Sequence, residues 1–199
     1  MRKVETEIFT FDELSDEAKD KARDWYRQAN AGDTFSIDTM LDNMVTDAAR
    51  LLGIEFVRRG AYPAIDWSTN PIDAAFSGTW RASKFKPGAI EKEFPTDKEL
   101  HYIAASLAII ARDSPESYAD CGAGRRCTQI VDAYLSDDEA DENDVCEAIT
   151  ACEQTLRDFA GWIASVVNAE YEYQNSDEAV DETITANEYE FTADGEVYS

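Results

Sequence analysis

The chain is short of positive charge. Its 199 residues hold 18 Lys plus Arg against 42 Asp plus Glu, a formal net charge of −24. A polyanionic nucleic acid is bound through a Lys/Arg face, so direct binding to DNA or RNA is disfavoured. An anionic membrane surface repels such a chain for the same reason. Histidine is nearly absent. His101 is the single imidazole, and no nucleophile or orienting group stands beside it to make a catalytic relay. It reads as a partly buried helix residue. Long hydrophobic runs are missing too: the stretch Ile103 to Ala111 is interrupted by Ser106 and is too short to cross a bilayer. Met1-Arg2-Lys3 leads into Val4-Glu5-Thr6-Glu7 instead of the apolar run of a secretory leader. The expectation is a protein kept in the cytoplasm.

Familiar sites for bound groups are also lacking. Cys121 and Cys127, like Cys146 and Cys152, are separated by five residues, outside the usual spacing of paired zinc ligands. In a cytoplasm these four read as reduced thiols, chiefly small buried hydrophobes. Asp137, Glu139, Asp141 and Asn143 alternate like the oxygens of a calcium loop. Glu142, however, stands where that loop needs glycine, and no glutamate closes it. Cys121-Gly122-Ala123-Gly124 has neither the lysine nor the helix start of a phosphate cradle. No cofactor and no metal are expected, and the chain reads as a non-enzyme. The basic pairs Arg58-Arg59 and Arg125-Arg126 are expected to neutralise the protein's own acids.

What is present is enough to fold. Hydrophobic residues make up 44% and aromatics 11%, which argues against disorder, and the length suits a single domain over 1–199. Val4 to Phe11 alternates like a half-buried strand. Ser15 caps a helix over 16–29 with Ala18, Ala22, Trp25 and Ala29 inward. A second helix runs from Ser36, with Ile37, Met40, Leu41, Met44, Ala48, Leu51 and Leu52 inward and Gly53 as its stop. Strands Ile54–Arg58, Ala64–Ser68 and Ala74–Ala82 follow as a meander, turned at Gly60 and Asn70-Pro71. Phe85 to Pro95 reads as a loop. Thr96 with Glu99 is a capping box that opens a helix to Arg112, its inner face Leu100, Ile103, Ala104, Leu107 and Ala111. Asp113 to Arg126 reads as a polar loop and Cys127 to Leu135 as a strand. The longest helix carries Val145, Ile149, Cys152, Leu156, Phe159, Trp162, Ile163 and Val166. Ser176 caps a last helix to Ala186, and Tyr189 to Tyr198 is expected to close as a hairpin at Asp194-Gly195. The pattern is α+β: a mostly antiparallel sheet of short strands covered by about four to five helices.

The charge is unevenly placed. Residues 1–131 carry 22 acids and 17 bases, whereas residues 132–199 carry 20 acids and one base, Arg157. Halophilic adaptation would spread acids through the whole chain and cost the fold at low salt. A helical apolar stripe over 144–175 implies that the acidic portion 136–199 is folded, and a folded anionic surface is destabilised by self-repulsion. Such a surface mimics the field of DNA, which carries one charge per ~1.7 Å of axis, toward a Lys/Arg groove. The candidate partner-binding residues are Asp137, Asp138, Glu139, Asp141, Glu142, Asp144, Glu147, Asp158, Glu170, Glu172, Asp177, Glu178, Asp181 and Glu182.

Two segments carry a family resemblance. Phe11-Asp-Glu-Leu-Ser-Asp-Glu-Ala-Lys-Asp-Lys-Ala-Arg-Asp-Trp-Tyr26 and Ser176-Asp-Glu-Ala-Val-Asp-Glu-Thr-Ile-Thr-Ala-Asn-Glu-Tyr-Glu-Phe-Thr-Ala-Asp-Gly195 resemble the two ends of a family of small, mostly uncharacterised phage and prophage proteins. That family is sometimes grouped with antirestriction or antitoxin-like accessory genes. Its middle commonly has an aromatic-Ser pair followed by Gln-Gly-Asp-Gly-Ala-x-Phe-x-Gly. Trp67-Ser68, Ala74, Phe76 and Gly78 match, and Asn70-Pro71-Ile72-Asp73 departs. The resemblance implies an accessory protein encoded by a virus or mobile element.

Together these features lead to an expected inhibitor of host defence, anti-CRISPR or antirestriction. It would block the groove of a basic nucleic-acid-binding protein or nucleoprotein as a DNA mimic, without touching nucleic acid or membrane. A homodimer is left open. The rival readings are a toxin-neutralising or regulatory binding protein that uses an apolar patch, and a small metal-dependent nucleotide hydrolase with clustered carboxylates.

Overall fold

The computed structural model describes residues 6–135 and 142–198. Its elements, in chain order, are β1 (Phe9–Thr10), α1 (Asp16–Ala29), α2 (Phe35–Met40), α3 (Thr46–Leu52), β2 (Ile54–Phe56), β3 (Arg58–Arg59), β4 (Tyr62–Pro63), β5 (Ile65–Thr69), β6 (Ile72–Phe76) and β7 (Gly78–Arg81). There follow α4 (Ala89–Glu93), α5 (Lys98–Asp113), β8 (Tyr118–Ala123), β9 (Gln129–Tyr134), α6 (Glu142–Gln174), α7 (Asp177–Ala186) and β10 (Glu190–Phe191). The architecture is α+β, and its strand pairs are antiparallel. The chain gathers into two compact units, Met1–Phe35 with Ala169–Ser199, and Ser36–Asn168. The acidic portion 136–199 coincides with neither.

In the Ser36–Asn168 unit, three strand runs do not form the expected meander. Each run breaks at one residue, and the halves pair as separate ribbons: β2 with β7, β3 with β4, β5 with β6. The three break residues are tied in a ring of backbone hydrogen bonds. Val57 N donates to the Ser77 carbonyl (2.8 Å), Ser77 N to Ala64 (2.9 Å) and Ala64 N to Val57 (2.8 Å). Backbone groups freed by leaving one ladder are thus satisfied at the point where three ladders meet. Gln129 closes the neighbouring gap. Its buried amide accepts from Phe76 N (2.7 Å) and donates to Phe76 O (3.1 Å), doing for β6 what a further strand would do.

Beyond the junction lies a four-stranded sheet in the order β2-β7-β8-β9. Its β8 lies where a polar loop was expected. Tyr118-Ala-Asp-Cys-Gly-Ala lacks branched residues, yet Ala119 and Cys121 are buried between outward Asp120 and its neighbours, the period of a half-buried strand. Trp80, Ala119 and Val131 share one core with Leu100, Ile103 and Leu107 of α5 and Leu156, Phe159 and Ile163 of α6. Each large side chain buried there contributes about 1.5–3 kcal/mol.

Three local corrections have simple causes. The helix from Phe35 to Leu52 holds an extra residue as a π-turn over Leu41–Val45, and the Thr46 hydroxyl donates to Leu41 O (3.0 Å). The inward set shifts to Ile37, Leu41, Val45, Ala48, Ala49, Leu51 and Leu52, leaving Met40 and Met44 half-buried. Gly53 does end it, at φ 83°. The α5 cap is Asp97, not Thr96: one carboxylate oxygen accepts from Leu100 N (2.9 Å) and the other from Trp162 Nε1 (2.8 Å). The expected loop 85–95 contains the short α4, with Ile90 buried.

The unit built from both chain ends has a small core of Phe11, Leu14, Ala18, Ala22, Val180, Ile184 and Phe191. Ser15 and Ser176 cap α1 and α7 as expected, accepting from Ala18 N and Ala179 N (3.3 Å each). Trp25 is half-buried against Tyr189 and Phe191, and Ala29 is exposed. The first strand is shorter than expected. Only Phe9–Thr10 pairs, with Glu190–Phe191, and residues 1–5 lie outside the described set. The C-terminal hairpin closes through a Phe191–Val197 bridge. At its turn Gly195 has φ 86°, and a Cβ there would collide with the Ala18 carbonyl, so no other residue fits.

Candidate functional site

The candidate acids fall into three groups. Asp137, Asp138, Glu139 and Asp141 lie outside the described residues, and Glu142 opens α6 with its side chain outside them. Asp144, Glu147 and Asp158 stand on the part of α6 within the Ser36–Asn168 unit. The rest belong to the unit of chain ends.

At 100° per residue, Asp144, Glu147 and Asp158 fall within an arc of about 60° on α6. The first two are exposed, and Asp158 is half-buried and accepts from Gln154 Nε2 (2.8 Å). Asp144 and Glu147 are about 4.5 Å apart along the axis, comparable to the 3.4 Å rise per phosphate of one DNA strand. Arg157, the one base of the acidic third, turns to Glu153 instead (3.0 Å). Cys152, Leu156, Phe159 and Ile163, centred roughly 120° around the helix from these acids, are buried in the core, as is Trp162 further along the helix.

In the other unit the acids are put to a different use. Arg23 makes a two-bond contact with Asp181, Nε donating at 2.6 Å and a terminal nitrogen at 2.7 Å. Arg27 donates to Asp177 (2.5 Å) and to the Asn175 carbonyl (3.0 Å). The hydrogen bond that Arg23 donates to Asp181 holds the guanidinium above its ordinary pKa. Asp177 and Asp181 therefore join α7 to α1. Their partners lie about 150 residues upstream, too far apart in sequence for local patterns to reveal. Glu178 and Glu182 are exposed on the neighbouring arc of α7. Glu172 is exposed, and Glu170 is half-buried and accepts from Gln174 (2.8 Å).

The remaining chemical candidates have structural roles or none. His101 Nε2 is held by the Phe94 carbonyl (2.8 Å). All four cysteines are free thiols. Burial pushes Cys121 and Cys152 up to about 12, far from a reactive thiolate. Arg58 pairs with Asp42 (2.7 Å) and Arg59 with Asp66 (2.5 Å), each basic side chain meeting an acid of the same chain. Among the described residues no group of three or more His, Cys, Asp or Glu could hold a metal ion. None of their helices is long and apolar enough to cross a membrane. A cleft of about 370 Å³ past the end of α3 was not expected. Arg50, Gly53, Glu55, Lys84, Phe85 and Lys86 are among its lining. Its cations are scattered singly in sequence, which hides them, and Lys84 is paired with Glu55 (2.5 Å).

The family comparison fits the larger unit. Residues 38–177 match a family model described as a domain of unknown function, DUF8835, and the chain belongs to that family. A search of curated proteins and a search of solved structures each found no match.

Proposed function

We propose that the chain is an inhibitory binding protein of a phage or other mobile element. It would present the α6 carboxylates to a basic groove that a host defence enzyme, restriction nuclease or CRISPR effector, uses for nucleic acid. The observation that carries this reading is the grouping of Asp144, Glu147 and Asp158 within one arc of α6, the first two exposed, while Arg157, the one base on that helix, is already turned to Glu153. Carboxylates carried on a folded helix need no backbone ordering on meeting a Lys/Arg groove, and they compete where phosphates would sit without reading base sequence. The resemblance of the chain ends to phage and prophage accessory proteins supports the setting.

The test compares the wild-type chain with an Asp144→Lys, Glu147→Lys, Asp158→Lys variant in hosts carrying a restriction or CRISPR system. Phage plating efficiency is the readout. Protection by the wild type and its loss in the variant, with an unchanged circular dichroism spectrum, support the reading. Equal protection, or none from either protein against these systems, counts against it.

A further inference from the structure

One surface departs from the electrostatics of the rest. From Leu100 to Ala111 there is no Asp, Glu, Lys or Arg, in a chain where such residues make up 30%. This run is the body of α5. Its inward face, Leu100, Ile103, Ala104, Leu107 and Ile110, is buried in the core and accounts for part of that apolarity. The outward face does not need it. Tyr102 is 65% exposed and Ile109 is 55% exposed, with Ala105 exposed between them. Spaced at three and four residues, the three form one stripe along the helix.

The ends of the stripe carry charge in a definite order. Lys98 and Glu99 stand exposed at the start of α5, and Arg112 and Asp113 stand exposed at its end. In the single chain Arg112 turns to its neighbour Asp113 (2.6 Å), an exposed pair of little energetic consequence. If a second α5 lies antiparallel across the stripe, centred between Ala105 and Ser106, Tyr102 faces Ile109 of the second copy. Glu99 then faces Arg112, and Lys98 faces Asp113. A parallel arrangement would set each charge against its own kind. The small residues at the centre permit close approach of the two helices.

We infer that α5 is a self-association surface, and that its occupant is a second copy of this chain in antiparallel, two-fold arrangement. A two-fold contact must be self-complementary, and the order of charges along α5 satisfies that condition. Net charge limits where two copies can meet. Two chains of −24 repel, and α5 offers an approach free of carboxylates over its central three turns. One 16-residue helix covers less than the roughly 800 Å² per partner of a standard interface, so the dimer is reversible and depends on concentration. The inference does not rest on the α6 reading.

Sedimentation velocity of the full chain over a concentration series, at low and high ionic strength, provides the test. The expected result is a monomer–dimer equilibrium that tightens as salt rises. Screening relieves the net repulsion within about 10 Å at moderate salt, and this outweighs the weakening of the exposed cross-pairs, each of which two-fold symmetry repeats. Ile109→Glu is expected to weaken the dimer more than about tenfold, because each dimer carries the buried charge twice. Glu99→Arg should weaken it, and adding Arg112→Glu should restore it. All three positions are exposed, so the circular dichroism spectrum serves as the folding control, and the charge-swap pair remains readable if Ile109→Glu misfolds. A single monomeric species at every concentration and salt, whatever other protein covers the stripe, overturns the inference. So does a dimer that Ile109→Glu leaves at full strength, or a double swap that fails to restore association.

Discussion

The two compact units differ in how much of their cohesion rests on paired acids. In the unit of chain ends, Asp177 and Asp181 meet Arg27 and Arg23 across α1 and α7, and that charge-assisted seam adds to a core of few residues. In the Ser36–Asn168 unit the sheet, α5 and α6 share a large apolar core. The carboxylates Asp144 and Glu147 on its surface are left to solvent. Excess negative charge is therefore not one property spread over the molecule. Where a core is small, acids and arginines supply cohesion. The larger unit holds both kinds, Asp42 and Asp66 paired with Arg58 and Arg59, and Asp144 and Glu147 exposed.

The sharpest contrast between the units should come from deleting buried side chains in the larger one. Trp80 is fully buried and its Nε1 donates to the Leu52 carbonyl (2.9 Å). Trp80→Ala is expected to cost about 3–5 kcal/mol, read as a lower denaturant midpoint that is insensitive to salt. Gln129→Leu strips the hydrogen bonds from Phe76 and should cost about 1–3 kcal/mol by the same assay. Arg23→Ala acts on the other unit. It leaves Asp181 facing a vacated, half-buried site, and a loss of about 1–2 kcal/mol is expected. That loss should shrink as salt rises. An Arg23 effect indifferent to salt would remove the distinction between the two kinds of cohesion.

A smaller effect concerns the buried thiols. Cys121 and Cys152 titrate near 12 in the folded chain against an ordinary 9.0, so the unfolded chain releases their protons first. Their contribution to stability is whole below pH 9 and is lost as pH rises toward 12. Replacing both by Ala should flatten that part of the alkaline stability profile in denaturant titrations. The smallest stability effect should belong to Asp144→Lys with Glu147→Lys, within about 0.5 kcal/mol, because both sites are exposed.

Legibility in sequence followed the range of the interactions. The Ser15 and Ser176 caps, the Gly53 stop and the apolar stripe of α6 are local, and each is written within a few residues. The three-way strand junction is not local. Nothing in Ile54–Arg58 says that its first half pairs with β7 and its second with β4. The π-turn at Leu41–Val45 adds a residue that a fixed helical period cannot anticipate, and β8 lacks the branched residues that usually mark a strand. The site was readable in the same measure. The acid surplus was visible from composition, but the arginines that occupy Asp177 and Asp181 lie at the other end of the chain.

The central claim is that the outward carboxylates of α6 are a ligand for a cationic groove. Its most direct test is the binding of the wild-type chain and the Asp144→Lys, Glu147→Lys, Asp158→Lys variant to a purified restriction nuclease or CRISPR effector, with duplex DNA as competitor. The account predicts affinity that falls steeply and linearly in log–log form with salt, displacement by DNA, and a loss of at least about tenfold in the variant. Affinity unchanged by salt, by DNA and by the three reversals would contradict it.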